Sequence, residues 1–336
     1  MTKNPGLMKL ISRSLTVIAG ILMGININAQ QVPMYSQYVM NGFLINPSLA
    51  GNDGYTSVNL TAREQWLGLP GSPSTYAVSI QTRLLKDSYI QKSTSVRRKM
   101  VRPTRGGRVG LGGYLFNDRN GIISRTGFEL AYAYHIPLSD QNQLSFGLGA
   151  TAYQFAIDLD GALLAHTDDE FLNNYDRVVY IPDFNFGASY TTPRYYLGFS
   201  ATQLFRGSLI LGNSSDNART ELGHFFLSGG VKIPLENDWM IEPSALLKSS
   251  DMLFKSFQAD LTTRVYYKDN YWLGLSYRTQ DAMILLLGFT YDRFFFAYAY
   301  DMILTDIRNH SSGSHELSFA VKFGDNARRY RWLNRY

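Results

Sequence analysis

The residues of this chain that could do chemistry do not gather into a catalytic set. Five histidines, His135, His166, His224, His310 and His315, show none of the HExxH spacing that puts two imidazoles on one helix face beside a general base. There is no cysteine, which removes thiolate zinc sites, cysteine nucleophiles and disulfide scaffolds together. Gly110, Gly112 and Gly113 in VGLGGYLF imitate a phosphate-cradling loop, but no Lys-Ser/Thr follows and they fall inside an alternating strand pattern. They read better as positions that face a lumen or make room for an aromatic ring. Asp168, Asp169 and Glu170 could attract calcium but lack the alternate-oxygen spacing of a binding loop, so a solvated acidic loop is the simpler reading. Serine, histidine and aspartate all occur, with nothing that sets a nucleophile beside its base. The expectation is a protein that is not an enzyme and needs no cofactor, metal or small-molecule substrate.

Charge is patterned more tellingly. Residues 85–108 hold Lys86, Lys92, Arg97, Arg98, Lys99, Arg102, Arg105 and Arg108 against Asp87 alone. The tail 324–336 interleaves Arg328, Arg329, Arg331 and Arg335 with Tyr330, Trp332 and Tyr336. Segment 158–183 is acidic, with Asp158, Asp160, Asp168, Asp169, Glu170, Asp176 and Asp183 against Arg177. These runs are either solvated loops and a free tail, or a basic surface that docks an acidic protein or anionic envelope polymer.

The elements that must carry these residues are strands. From Gly127 to Ile136, Phe128, Leu130, Tyr132, Tyr134 and Ile136 share one face, opposite Glu129, Ala131, Ala133 and His135. Leu317, Phe319, Val321 and Phe323 likewise oppose Glu316, Ser318, Ala320 and Lys322. Period-two runs of this kind recur near 56–66, 74–84, 108–117, 126–136, 144–157, 184–191, 195–203, 223–233, 240–248, 256–267, 271–279, 282–291, 294–301 and 315–323. A soluble β-sandwich also alternates. Here the apolar face is rich in rings near strand ends, the other face mixes glycine, alanine and charge, and the count is large and even. The fold expected is therefore all-β, a transmembrane antiparallel β-barrel of about fourteen strands. Strands of about ten residues tilted near 45° match the apolar thickness of a bilayer, and closure satisfies every backbone group.

Short connections such as 137–142, 191–194, 234–238, 268–270 and 292–293 alternate with long ones at 158–183, 204–222 and 302–314. That places short turns on the periplasmic side, long loops outside, and both termini in the periplasm. Segment 85–107 is the exception, long yet on the short-turn side. The composition agrees: 18% of the 336 residues are charged, against about 25% in soluble domains.

Residues 1–29 hold Lys3, Lys9 and Arg13 and no acid, then an apolar run from Leu15 to Ile25 and a small residue at Ala29. This is the layout of a secretory signal, and the apolar run is too short for the ~30 Å of a bilayer. Its removal lowers the charge from +5 to +2, with 29 bases against 27 acids. The organisation expected is a signal at 1–29, an N-terminal periplasmic or plug segment at 30–55, the barrel at 56–323, and a basic tail at 324–336.

An ordered set of short motifs runs through the mature chain. It begins with Tyr35-Ser-Gln-Tyr38, Asn46-Pro47-Ser-Leu-Ala50-Gly51 and Arg63-Glu-Gln65-Trp66-Leu-Gly68. It continues with Gly71-Ser-Pro73, Val109 to Asn117-Asp118 with Gly121, Ala131 to His135, and Pro182 to Gly187. Glu242-Pro243-Ser244, Trp272 to Arg278 and Gly313 to Leu317 complete it. The set resembles the PorP/SprF family of Bacteroidetes outer-membrane proteins associated with type IX secretion and gliding motility. The resemblance implies a non-catalytic barrel whose partners are type IX secretion components, a secreted surface adhesin, or both, in contact with outer-membrane lipid and not with nucleic acid. The partner-binding residues it nominates are Asn46, Pro47, Gly51, Arg63, Gln65, Trp66, Asn117 and Asp118, the last two at a strand-to-loop junction. Arg97, Arg98, Lys99 and Arg102 of the basic segment join them. A structural reading of the same residues makes Asn46-Pro47 and Gly51 a turn into the barrel, Trp66 a girdle aromatic, and Arg63 a lumen residue. A passive channel or solute transporter is the alternative function, carried only by the barrel and its polar inner face.

Overall fold

Strict alternation leaves each strand with one face that suits lipid and one that does not, and closing the sheet resolves both demands at once. The computed structural model describes residues 35–84, 108–139, 141–158, 178–205, 223–250 and 257–323, and these contain fourteen antiparallel strands closed into a barrel. In chain order they are β1 (Thr56–Glu64), β2 (Ser74–Leu84), β3 (Val109–Asn120), β4 (Ile123–Pro137), β5 (Gln143–Ile157), β6 (Val178–Thr191) and β7 (Tyr195–Thr202). They continue with β8 (His224–Val231), β9 (Trp239–Ser249), β10 (Phe257–Tyr267), β11 (Tyr271–Arg278), β12 (Ala282–Tyr291), β13 (Phe294–Ile303) and β14 (Ser314–Phe323). A two-residue piece, Ile233–Pro234, carries the line of β8 past Lys232 onto β9. Each strand pairs with its sequence neighbours, and β1 closes the ring on β14 with Thr56 opposite Phe323.

The side chains are sorted inside out relative to a soluble protein. Leu115, Leu130 and Leu148 point outward, 64%, 63% and 59% exposed, while Ser145, His135 and Glu316 point inward and are fully buried. Rings on the outer face pack on one another: Phe296 stacks with Phe289 at 5.0 Å between centroids and meets Phe319 at 4.8 Å. Such a surface is stable against hydrocarbon and not against water.

Several boundaries differ from those expected. β6 starts at Val178 rather than 184, so the acidic connection from β5 is shorter than 158–183. β3 and β4 run on to a tight turn at Gly121-Ile122, where Gly121 takes φ +60° and donates its N–H to the Gly71 carbonyl at 3.0 Å. Asn117 and Asp118 therefore lie inside β3, paired with Thr126 and Arg125, and not at a strand-to-loop junction. Residues 118–125 looked like a loop because charges and Asn-Gly interrupt the alternation; cross-strand pairing of those same polar groups keeps the hairpin going. The connection between β11 and β12, residues 279–281, is likewise short, so the end bearing the long loops carries tight turns as well.

The barrel has a turn end, where 138–142, 192–194, 235–238, 268–270 and 292–293 lie, and an opposite loop end. Inside it runs the segment from Tyr35 to Asn52, which contains no charged residue. It makes two 3₁₀ turns, Gly42–Leu44 and Pro47–Leu49, and nearly all of it is buried. Met40 packs with Tyr266, Trp272, Ile284, Leu286 and Phe295; Tyr38 and Val39 pack with Tyr196, Phe226 and Leu246; Phe43 and Ala50 pack with Ala131 and Ala133. Burying each large apolar side chain contributes about 1.5–3 kcal/mol. The lumen is thus a packed core with a polar lining. The proposed signal at 1–29, the basic residues Arg97, Arg98, Lys99 and Arg102, most of the acidic connection and the tail 324–336 lie outside the described residues.

Candidate functional site

Inside the lumen, inward positions of neighbouring strands carry opposite charges directly across from one another. Arg63 of β1 is in register with Glu316 of β14, Asp260 of β10 with Arg278 of β11, and Glu242 of β9 with Arg264 of β10. Register alone brings these pairs within reach. Arg63 Nη2 lies 2.7 Å from Asp301 Oδ2 and its Nη1 3.1 Å from Glu316 Oε2. Arg278 reaches Asp260 at 3.0 Å and Asp301 at 3.3 Å. All of these side chains are under a tenth exposed, so each charge depends on its partners.

The plug enters this network through Ser36. The Ser36 hydroxyl donates to Asp301 Oδ2 at 2.8 Å and accepts from Arg63 Nη1 at 2.7 Å. The backbone N–H groups of Ser36 and Gln37 donate to the two carboxylate oxygens of Glu316 at 2.7 and 3.0 Å. A second hold forms where Arg264 pairs with Glu242 at 2.7 Å, donates to Met40 Sδ at 3.1 Å, and lies over the rings of Tyr266 and Trp272. Tyr38 stays neutral beside it, since burial, with the charge of Asp260 adding, pushes its phenol up to about 12.

Elsewhere along the lumen the plug is held through its backbone and two asparagine side chains. Asn46 Nδ2 donates to the Phe199 carbonyl at 3.2 Å, while its Oδ1 accepts from the Ser48 N–H at 3.0 Å and caps the 3₁₀ turn that Pro47 starts. Ser200 Oγ donates to the Ile45 carbonyl at 2.6 Å, and the Gly51 N–H donates to Gln81 Oε1 at 3.1 Å. His135 Nε2 and the Ala50 carbonyl are 3.0 Å apart, and Gln143 Nε2 donates to Asn52 Oδ1 at 2.9 Å. Gly147 and Gly187 let the plug come this close. A Cβ on Gly187 would stand 2.0 Å from Asn46 Oδ1, and one on Gly147 2.2 Å from the Ser48 nitrogen.

The nominated residues therefore divide. Asn46, Pro47 and Gly51 belong to the plug itself, where Asn46-Pro47 forms a turn inside the lumen, not at its entrance. Arg63 is in the charge network. Gln65, whose N–H donates to the Pro73 carbonyl at 2.8 Å, and Trp66, whose N–H donates to Ser314 Oγ at 3.2 Å, shape the connection after β1 close by. Asn117 and Asp118 point to opposite faces of β3. Asn117 is exposed and bonds Thr126 at 2.7 Å, while Asp118 is buried and accepts from Thr75 Oγ1 at 2.8 Å. Sequence reasoning missed Ser36, Glu242, Arg278 and Met40 as parts of one site. The signal that could have found them was charge on the otherwise small and polar inner faces of several strands, as at Asp260, Arg264, Asp301 and Glu316. Among the described residues no group of three or more His, Asp or Glu side chains is placed to hold a metal ion. What the arrangement does chemically is hold an uncharged segment inside a charged tube.

A sequence model of the family described as "Type IX secretion system membrane protein PorP/SprF" matches residues 27–321. No curated protein matches the chain. Among solved structures it is similar to the Ralstonia pickettii toluene transporter TbuX, at 11% identity, over 90% of this chain and 99% of that one, with a TM-score of 0.46. It is also similar to BamA from Haemophilus ducreyi lacking POTRA domains 1-3, at 9% identity over 80% and 70% of the two chains, TM-score 0.39. A mutant of Rh. blastica porin gives 7% identity over 80% and 99%, TM-score 0.32.

Proposed function

We propose, on the premise that the chain belongs to the PorP/SprF family of type IX secretion system membrane proteins, that it is a plugged, non-catalytic barrel that anchors or assists the surface display of a secreted adhesin. The turn end faces the periplasm and the loop end faces outward, following the general arrangement of outer-membrane barrels. The basic segment 85–108 leaves the barrel at the turn end, where it docks secretion components of acidic character, and a cleaved signal at 1–29 directs export. The observation that carries the reading is the plug. Tyr35–Asn52 is bonded or packed to strands around the whole circumference, which suits a protein that holds a macromolecule at its rim better than one that conducts solutes.

Deleting the gene and assaying the culture medium for released adhesin, together with surface spreading, tests the role directly. Release of the adhesin and loss of spreading are expected; unchanged display and motility would overturn the reading. Planar-bilayer recording separates it from a passive channel, which requires a steady large conductance.

A further inference from the structure

Between the plug and the loop end lies a cavity of about 100 Å³ on the β3 to β8 side of the lumen. Leu44 and Ile45 of the plug form its floor, and its walls include Tyr35, Phe116, Tyr153, Arg125 and Gln203. It is somewhat smaller than the ~150 Å³ cavity that holds benzene, which leaves room for one small apolar side chain.

Two polar side chains in its wall have spare capacity. The lumen arginines Arg63, Arg264 and Arg278 each donate to carboxylates at 2.7–3.3 Å. Arg125 is different. Among the described residues its one ion-pair neighbour, Asp118, stands 4.0 Å away and already accepts from Thr75, and its Nε, like those of Arg63 and Arg264, is buried without a hydrogen-bond partner. A guanidinium in a largely buried setting favours a planar anion that meets its donors two at a time. Across the cavity Gln203 Oε1 is also buried without a donor, although the amide end of that side chain reaches Tyr153 at 3.5 Å. Gln203 takes φ +58°, a conformation in which a non-glycine residue is held against its preference. Its N–H is fixed there by Asn185 Oδ1 at 2.8 Å.

A planar anion, an adjacent N–H donor and a small apolar group are the three features that a peptide C-terminus presents together. We propose that this cavity binds the C-terminal residue of a peptide entering from the loop end. The terminal carboxylate pairs with Arg125, the last amide N–H donates to Gln203 Oε1, and the last side chain lies among Tyr35, Phe116 and Tyr153. The proposal rests on the reading above only for the origin of the peptide, a secreted protein presented at the same face.

The test uses the full chain in detergent and two probes, acetyl-Ala-Ala-Leu with a free carboxylate and the same peptide as its C-terminal amide, with binding followed calorimetrically. The acid is expected to bind saturably, and the amide to bind roughly tenfold or more weakly. Arg125→Gln should lose the acid's advantage, and Asp118→Asn, which frees the guanidinium of its nearest competitor, should bind the acid at least as tightly as the parent. Equal binding of acid and amide, no saturation at millimolar peptide, or weaker binding by Asp118→Asn would each overturn the site. Because the Asp118→Asn and acid-against-amide arms do not need Arg125→Gln to fold, the result stands without it. Failure here leaves the secretion role intact, whereas normal adhesin display in the deletion strain removes that role and leaves the binding result standing.

Discussion

Arg63 and Asp301 lie 2.7 Å apart with both side chains 2% exposed, and the hydroxyl of Ser36 touches both. This contact joins the first strand, the thirteenth strand and the plug at one point. Barrel closure and plug seating therefore share the same charges, so damage to one is expected to show in the other.

Replacing Arg63 by methionine leaves Asp301 and Glu316 buried with one counter-charge fewer. The expected loss is about 3–5 kcal/mol, read as a lower midpoint in the heat-dependent mobility shift on a detergent gel. Adding Glu316→Gln to Arg63→Met should recover part of that loss, because the second change removes the charge that the first one orphaned.

Gly187→Val puts a side chain where Asn46 Oδ1 now sits. The strand cannot retreat without breaking its pairs with β5 and β7, so the plug must move. Single-channel recording is expected to show little steady current for the parent and frequent openings for the variant. Silent Gly187→Val channels in a correctly folded barrel would show that the plug seats without this cradle.

Met40 is 4% exposed and fills the space between Arg264 and the apolar patch of Trp272, Ile284 and Leu286. Met40→Ala should cost about 2–5 kcal/mol, the range for emptying a core position. Trp272 is the local reporter, and its emission should shift toward that of a wetter indole.

Leu130 sits midway along β4 on the outer face. In lipid vesicles Leu130→Arg should destabilise folding by about 2–4 kcal/mol, as expected for a cation at the bilayer midplane. Were that face in water, the same change would be nearly neutral, so equilibrium denaturation from vesicles distinguishes the two settings.

Much of the architecture was legible because period-two alternation is a local property. The run from Leu144 to Ala150 shows it on its own, and the strand it forms points the way those letters say. The same local reading failed at 118–125, where charge and Asn-Gly look like a loop until Arg125 and Asp118 are placed across from each other on adjacent strands. It failed again at 178–183, where Pro182 hides the first half of β6.

The sequence by itself determined most of the strands and their inward and outward faces, since each follows from residue type and near-neighbour spacing. It also carried the family likeness, through motifs such as Asn46-Pro47 and Arg63 to Gly68. Only the tertiary structure decided what fills the barrel and which charges meet. Ser36 and Asp301 are 265 positions apart, and Arg63 faces Glu316 only because β1 closes on β14 in one register. Strand pairing converts sequence distance into contact, and a register shift of one residue would turn every one of these charges toward lipid. The uncharged stretch from Tyr35 to Asn52 carries two of those motifs, and its place as a plug comes from the tube of paired charges around it.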